Sequence, residues 1–395
     1  MHKLLTQLSN HRTMSEVPEL IISALLKIMA QSIFGIFVPI YLYRLGYPLW
    51  LIALYFTVLS LSRVVAAILS APLIARFGPR AVMVGSTYLL ILHLLSLIVL
   101  PLWHISMLIP AILFGLYMGA YFVAYNDDFS LSIDAKHSTR SIGWYLLTGR
   151  LVMILGPIAG GALATLGGFQ LSLYAGIFIL AASVVVLMLP TSKPTQASRF
   201  AWSDLRHVIE PRDILANTGN NMDTIGNNYL WPLLAAVVIF KGGSYLGFGA
   251  ISSLGAVAGV IATPLLRQLI DTGGAGPVYQ FGVISSAVIH ALRAGVSTIP
   301  YATVLIAAKD PSEVALTLGF SKGYYVRADS YAERRLAYLA VTEASPHVFI
   351  SLLWLVIAAV LALSPNQLGL GIGLVISALT TMLMLVQNFP DLEKN

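Results

Sequence analysis

Three ionisable side chains fall within five positions of an otherwise apolar run. They are Lys309, Asp310 and Glu313 in AAKDPSEVALTLGF (307–320), with Pro311 among them. A second polar run, NTGNNMDTIGNNYLWP (217–232), sets Asn220, Asp223 and Asn227 at i, i+3 and i+7, one face of a helix. Asn217, Asn221, Thr224 and Asn228 form the neighbouring stripe. Earlier in the chain, Lys27 has Ser23 and Gln31 one turn to either side, and Arg63 and Arg150 stand alone in apolar surroundings. These types suit two tasks. Carboxylates in a low-dielectric setting can hold and release a proton, which makes Asp223, Asp310 and Glu313 candidate proton carriers. Basic groups in the same setting favour an anion, or the carboxylate or phosphate of a zwitterion. Lys27, Gln31, Arg63, Tyr117, Tyr121, Asn220, Asn227 and Lys309 are therefore the candidate substrate contacts. Each also has a plainer role. Lys309 and Glu313 at i, i+4 neutralise one another equally well, and the amides can be interhelical glue. Tyr117, Tyr121 and Tyr125 at i, i+4 and i+8 suit a packed core as well as a cavity wall.

The elements that carry these groups are set by composition. The 395 residues are 57% hydrophobic and 10% charged, with a mean hydropathy of +0.82. That is too little charge to cover a soluble surface, for which about 25% is usual. Apolar runs of membrane-spanning length recur. The chain has no Cys, so disulfides and thiolate metal sites are excluded. Spans are predicted at 18–42, 49–75, 79–101, 105–131, 141–165 and 170–190. After a polar stretch at 191–213, six more follow at 214–240, 244–270, 277–298, 300–326, 338–362 and 366–388. Trp202 to Ile209 in the polar stretch reads as an interfacial amphipathic helix. The first 17 residues are polar with no signal-peptide cleavage site after the first apolar run, so the first span is expected to remain.

Charge bias tests this count. With both termini cytoplasmic, the inside segments collect most Lys and Arg, among them Arg76, Arg80, Arg140, Arg206, Arg327, Arg334 and Arg335. Only Arg44 and Lys241 fall in outside loops. Reading KDPSE as a loop gives eleven spans and turns Lys322, Arg327, Arg334 and Arg335 outward, against the bias. The halves also repeat at offsets of 192 to 197 residues. Pro39 aligns with Pro232, Pro72 with Pro264, Gly85 with Gly282, His93 with His290, and Arg140 with Arg335. The repeat sets KDPSE opposite the middle of span 4, and so inside the membrane. The net charge of +6 reflects basic cytoplasmic loops and not a nucleic-acid partner.

Two six-span halves in parallel repeat, joined by a polar linker, resemble the major facilitator superfamily. APLIARFGPR (71–80) keeps Arg76, Gly78 and Arg80 of that family's loop between spans 2 and 3, with Ala71 and Ala75 replacing its Gly and Asp. GPIAGG (156–161) matches the core of a signature of proton-coupled exporters, with Val152 where a further Gly is expected; close helix packing explains it equally well. The resemblance implies an all-α protein of twelve transmembrane helices in two pseudo-symmetric six-helix bundles. Its units would be residues 1–190, a linker at 191–213 and residues 214–395. It also implies a cavity lined by spans 1, 2, 4, 5, 7, 8, 10 and 11, with spans 3, 6, 9 and 12 outside. Arg76, Arg80, Asp127, Asp128, Arg140 and Arg150 are the candidate gating residues, an Asp127 or Asp128 pair with Arg150 being one arrangement. His93 and His290, on outer spans, read as packing residues, and Arg293 as a side chain reaching outer water.

The expected function is secondary active transport of a small polar or anionic solute, coupled to protons. The expected setting is a monomer in the plasma membrane (the inner membrane of a bacterium), with no cofactor or metal. A multidrug or lipid exporter is the alternative and predicts a greasier cavity. A membrane enzyme or receptor is remote, for there is no phosphate-binding glycine run, nucleophile elbow or zinc pattern.

Overall fold

The computed structural model describes residues 17–103, 105–132, 138–189, 198–240 and 244–387. The chain is a set of antiparallel rods. Helix α1 runs Val17–Phe34 and continues through a 3-10 turn, Gly35–Phe37, into Val38–Arg44. Then come α2 (Leu49–Phe77), α3 (Pro79–Trp103), α4 (Leu108–Ser132), α5 (Ser138–Gly167) and α6 (Phe169–Leu187). Helix α7 begins at Pro211–Ile225 and is broken by π-helical turns at Gly226–Leu230 and Ala235–Ile239, on either side of Trp231–Leu234. The remaining rods are α8 (Tyr245–Gly273), α9 (Ala275–Arg293), α10 (Ile299–Ser330), α11 (Arg335–Leu363) and α12 (Asn366–Thr381, extended by Met382–Val386).

Among the described residues nine helices are long and apolar enough to cross a membrane. The others are α5, which contributes the shorter apolar stretch Leu151–Gly167, with α7 and α10. The last two carry the polar runs. Helix α10 is continuous for 32 residues through Pro311, so KDPSE is helical and not a loop. At ~1.5 Å per residue it is about 48 Å long, longer than a ~30 Å hydrocarbon core. The linker differs from expectation: Trp202–His207 is only a short 3-10 turn, because Pro211 starts α7 four residues later.

Small residues let the rods approach. A Cβ on Gly115 or Gly119 of α4 would strike the α2 backbone at Leu59 or Arg63. Gly282 of α9 lies against Leu316 and Ala315 of α10 in the same way. In GPIAGG, Gly156 and Gly160 seat α5 on Ser32 and Ile33 of α1, and Gly161 meets the Tyr245 backbone of α8. That motif packs helices here. Between the halves, α2 pairs with α11 and α5 with α8. An aromatic cluster closes the end nearest residues 44–49 and 167–169. Phe37 meets Phe169, Tyr245 and Phe248 at ring-centre distances of 6.5, 5.7 and 6.4 Å, and Arg44 lies 4.8 Å over Tyr245. Large apolar side chains such as Leu92, Phe178, Phe281 and Leu379 face outward from α3, α6, α9 and α12, where lipid solvates them.

Candidate functional site

The polar residues of α7, α9 and α10 converge. Asp223 of α7 is 3% exposed. Its Oδ2 accepts from Lys309 Nζ of α10 at 3.0 Å, and its Oδ1 meets His290 Nε2 of α9 at 3.0 Å and the Ser286 hydroxyl. Lys309, fully buried, also reaches Glu313 Oε2 at 3.4 Å. Glu313 accepts from Asn227 Nδ2 at 3.3 Å, and Asn227 Oδ1 accepts from Arg293 Nη1 at 2.9 Å. The Arg293 guanidinium lies 4.6 Å over the Trp231 ring. One ammonium is thus shared by two carboxylates, and an amide links the second carboxylate to a guanidinium. The backbone allows this locally. The π turn at Gly226–Leu230 turns Asn227 and Asn228 out of α-helical register. A side chain on Gly226 would collide with His290 and Ser377.

This network borders a cavity of about 130 Å³. Its polar wall is Asn227, Asn228, Ser252, Arg293, Asp310 and Glu313, and Ile36, Met153 and Pro157 of the first half complete it. The two carboxylates differ in access. The Glu313 side chain is 35% exposed and the Asp223 side chain 4%. Among the described residues no cluster of His, Asp and Glu could hold a metal ion.

Four expectations change here. The amide stripe beside Asp223, which the sequence sets around that carboxyl, does not bond to it, because Asn217 and Asn221 donate to backbone carbonyls four residues earlier in α7, as Thr224 does. Lys309 is not reserved for Glu313, since Asp223 is nearer. His290 is a polar contact of Asp223 and not a packing residue. Arg293 does not reach outer water: it is 1% exposed and turned inward by Asn227 and Trp231. The signal was available, for Ser286, His290 and Arg293 lie at i, i+4 and i+7, one face of α9. By contrast His93 is buried, with Nδ1 2.9 Å from the Pro110 carbonyl oxygen and its ring stacked on Phe114.

The first half holds a second group. Lys27, 6% exposed, lies 3.7 Å over the Tyr121 ring and 4.9 Å from Phe122. Among the described residues no carboxylate comes within ion-pair distance of it. Tyr121 continues a ladder of rings through Tyr117 and Tyr125. Arg63 of α2 finds its carboxylate in the other half: Nε donates to Glu343 Oε1 of α11 at 2.5 Å. Sequence reasoning missed Glu343, which has no charged neighbour along α11 to mark it. Gln31 and Asn220 are half-buried.

At the end where α2 turns into α3, Arg80 Nε lies 3.5 Å from Asp128 Oδ2. Asp127 accepts from the Ser198 hydroxyl at 2.7 and 2.8 Å, tying the linker to α4. Arg76 lies 5.1 Å over Phe77. The Arg140 and Arg150 side chains lie outside the described residues, and with them the pairing expected between Arg150 and Asp127 or Asp128. In the second half Asp213 gathers Arg327 at 3.3 Å, Tyr338 at 3.0 Å and Gln387, clamping α7, α10, α11 and the end of α12 together.

Comparison with known proteins gives the same architecture. The family model described as Major Facilitator Superfamily matches residues 20–326. No curated protein sequence matches. Among solved structures the chain is similar to a mutant of the nucleoside transporter NupG, with TM-score 0.68, 13% identity, and 93% of this chain and 97% of that one covered. It is similar to a bacterial homologue of the iron transporter ferroportin in its outward-facing state, with TM-score 0.65, 15% identity, and 96% and 99% covered. It is also similar to a variant of the E. coli fucose:proton symporter FucP, with TM-score 0.62, 13% identity, and 94% and 97% covered. At these identities the likeness concerns the fold.

Proposed function

This chain belongs to the Major Facilitator Superfamily, and we propose that it is a proton-coupled secondary transporter of a small polar solute bearing an anionic group. The moving bodies in this reading are residues 1–190 and 214–395, acting as a monomer in the plasma membrane with both termini cytoplasmic. The observation that carries the proposal is the Lys309 bridge between Asp223 and Glu313 at the cavity wall.

Asp223 is held by three donors and is closed off. Glu313 has two long contacts and an open side, so it is the group a proton reaches from the cavity. Protonation of Glu313 leaves Lys309 to Asp223 alone and changes what Asn227 can offer. Asn227 borders the solute space, so the loaded proton alters the wall that the solute meets. Of the three proton carriers expected from the sequence, Glu313 takes the central role and Asp223 becomes the anchor of Lys309. Asp310 is part of the cavity wall.

The anionic end of the solute falls to Lys27 and Arg63. A buried ammonium that lies against ring faces gains most from an incoming anion. Asn227, Asn228 and Ser252 suit hydroxyl or amine groups at the other end. The charged wall argues against a greasy multidrug substrate.

The test uses proteoliposomes carrying a pH-sensitive dye. Addition of lactate, glycine, inorganic phosphate and a panel of sugar acids should include at least one solute that moves protons. The same solute should accumulate under an imposed pH gradient. If a solute exchanges freely across the protein but moves no protons, the coupling is wrong. If nothing in the panel is transported, the solute class is wrong.

A further inference from the structure

Arg63 and Glu343 join α2 of the first half to α11 of the second within the membrane. Neither side chain is sealed, with exposures of 10% and 13%. One turn along α11 is His347, 3% exposed, and neither of its ring nitrogens has a hydrogen-bond partner among the described residues. Its ring is within electrostatic reach of the Arg63 guanidinium. Phe122 of α4 lies between two cations, with Lys27 Nζ 4.9 Å and Arg63 Cζ 5.3 Å from its centre. Arg63 Nη1 lies 3.9 Å from the Met118 sulfur, a weak acceptor. The guanidinium therefore holds a carboxylate through one nitrogen and has capacity for a two-pronged anion.

We propose that Glu343 is a tethered stand-in for the anionic group of the solute. It fills the seat at Arg63 until a carboxylate or phosphate arrives, and then moves to His347. This rests on the reading above that Lys27 and Arg63 receive the anionic end.

Three physical points support the exchange. A buried guanidinium without an anion is costly, so the seat is kept filled. Replacing one carboxylate by another leaves the charge at Arg63 unchanged, so displacement does not expose a bare cation. The displaced carboxylate also needs a donor. Neutral imidazole supplies an N–H, and Glu343 and His347 share a face at i, i+4, so no proton has to enter or leave. Solute arrival then breaks the ion pair that joins α2 to α11. Recognition of the anion and release of the two halves become one event, with Glu343 and His347 as its positioning residues.

Isothermal titration of the purified full chain with lactate, glycine and inorganic phosphate tests this. At least one probe should bind Glu343→Gln at least tenfold more tightly than wild type, and Arg63→Gln should abolish that binding. The preferred probe distinguishes a carboxylate from a phosphate solute. His347→Leu should weaken the same probe several-fold in the wild-type background and leave it unchanged in Glu343→Gln, where no carboxylate needs rehousing. A merely structural His347 would weaken both alike. Should Glu343→Gln fail to fold, Glu343→Asp keeps the charge on a shorter stem and should still tighten binding by a smaller factor. The proposal is overturned if the Glu343 variants that fold bind no tighter than wild type, if none of the three probes binds them, or if His347→Leu acts equally in both backgrounds. These are binding measurements at fixed pH. Failure of proton-driven uptake would sink the coupling mechanism and leave this exchange standing.

Discussion

Lys309→Met removes the one ammonium shared by Asp223 and Glu313. At an effective dielectric of ~20, its attraction to Asp223 at 3.0 Å is about 5.5 kcal/mol, and to Glu313 at 3.4 Å about 5 kcal/mol. Desolvation of three charges offsets most of that gross figure. What remains on deletion is the cost of stranding a buried charge, about 3–5 kcal/mol. Glu313 contributes little to it, because it can turn toward the cavity. Asp223 contributes most, since among the described residues His290 and Ser286 are the only other groups bonded to it. Removing that charge as well should therefore restore stability. Asp223→Asn/Lys309→Met should lie within about 1–2 kcal/mol of wild type, and Asp223→Asn alone should be milder than Lys309→Met because Glu313 still holds the ammonium. The assay is equilibrium unfolding in mixed micelles by titrated denaturing detergent, followed by tryptophan fluorescence. If the double variant is as unstable as the sum of the singles, Lys309 and Asp223 are not coupled and the bridge does not have the role assigned to it.

Glu313→Gln keeps an acceptor for Asn227 and cannot carry a proton on that side chain. It should abolish accumulation driven by a pH gradient while solute exchange continues, and retained pH-driven accumulation would move the proton elsewhere. Gly160→Ala places a methyl group against the Ile33 backbone and should destabilise by about 1–3 kcal/mol. Gly276→Ala has nothing within 4 Å and should be neutral or slightly stabilising in the same melting assay. Because the natural chain has no Cys, Glu333→Cys supplies a single thiol at an exposed position beyond α10. It should react with a membrane-impermeant maleimide only after the cells are opened, and labelling of intact cells would invert the topology.

The sequence by itself determined the class of protein and the helical path of the chain. These are properties each span has alone in a bilayer. Apolar length decides whether a segment can cross, and the repeat pointed to a helix and not a loop through Lys309, Asp310 and Glu313, as α10 shows. That Lys27, Arg63 and Asp223 lie well inside helices was legible for the same reason. Which charges meet was not. Asp223 and Lys309 are 86 positions apart, and Arg63 and Glu343 are 280 apart. Such pairs depend on how each helix is rotated about its axis and how closely it approaches its neighbours. That is set by contacts such as Gly282 on α10 and Gly226 on His290, and by the π turn that turns Asn227 out of register. Hydropathy adds along the chain and can be summed from a sequence. A hydrogen bond needs two groups within about 3 Å at a fixed angle, so only the packed helices could decide that His290 and Arg293 face inward and that the Arg63 partner comes from the other half.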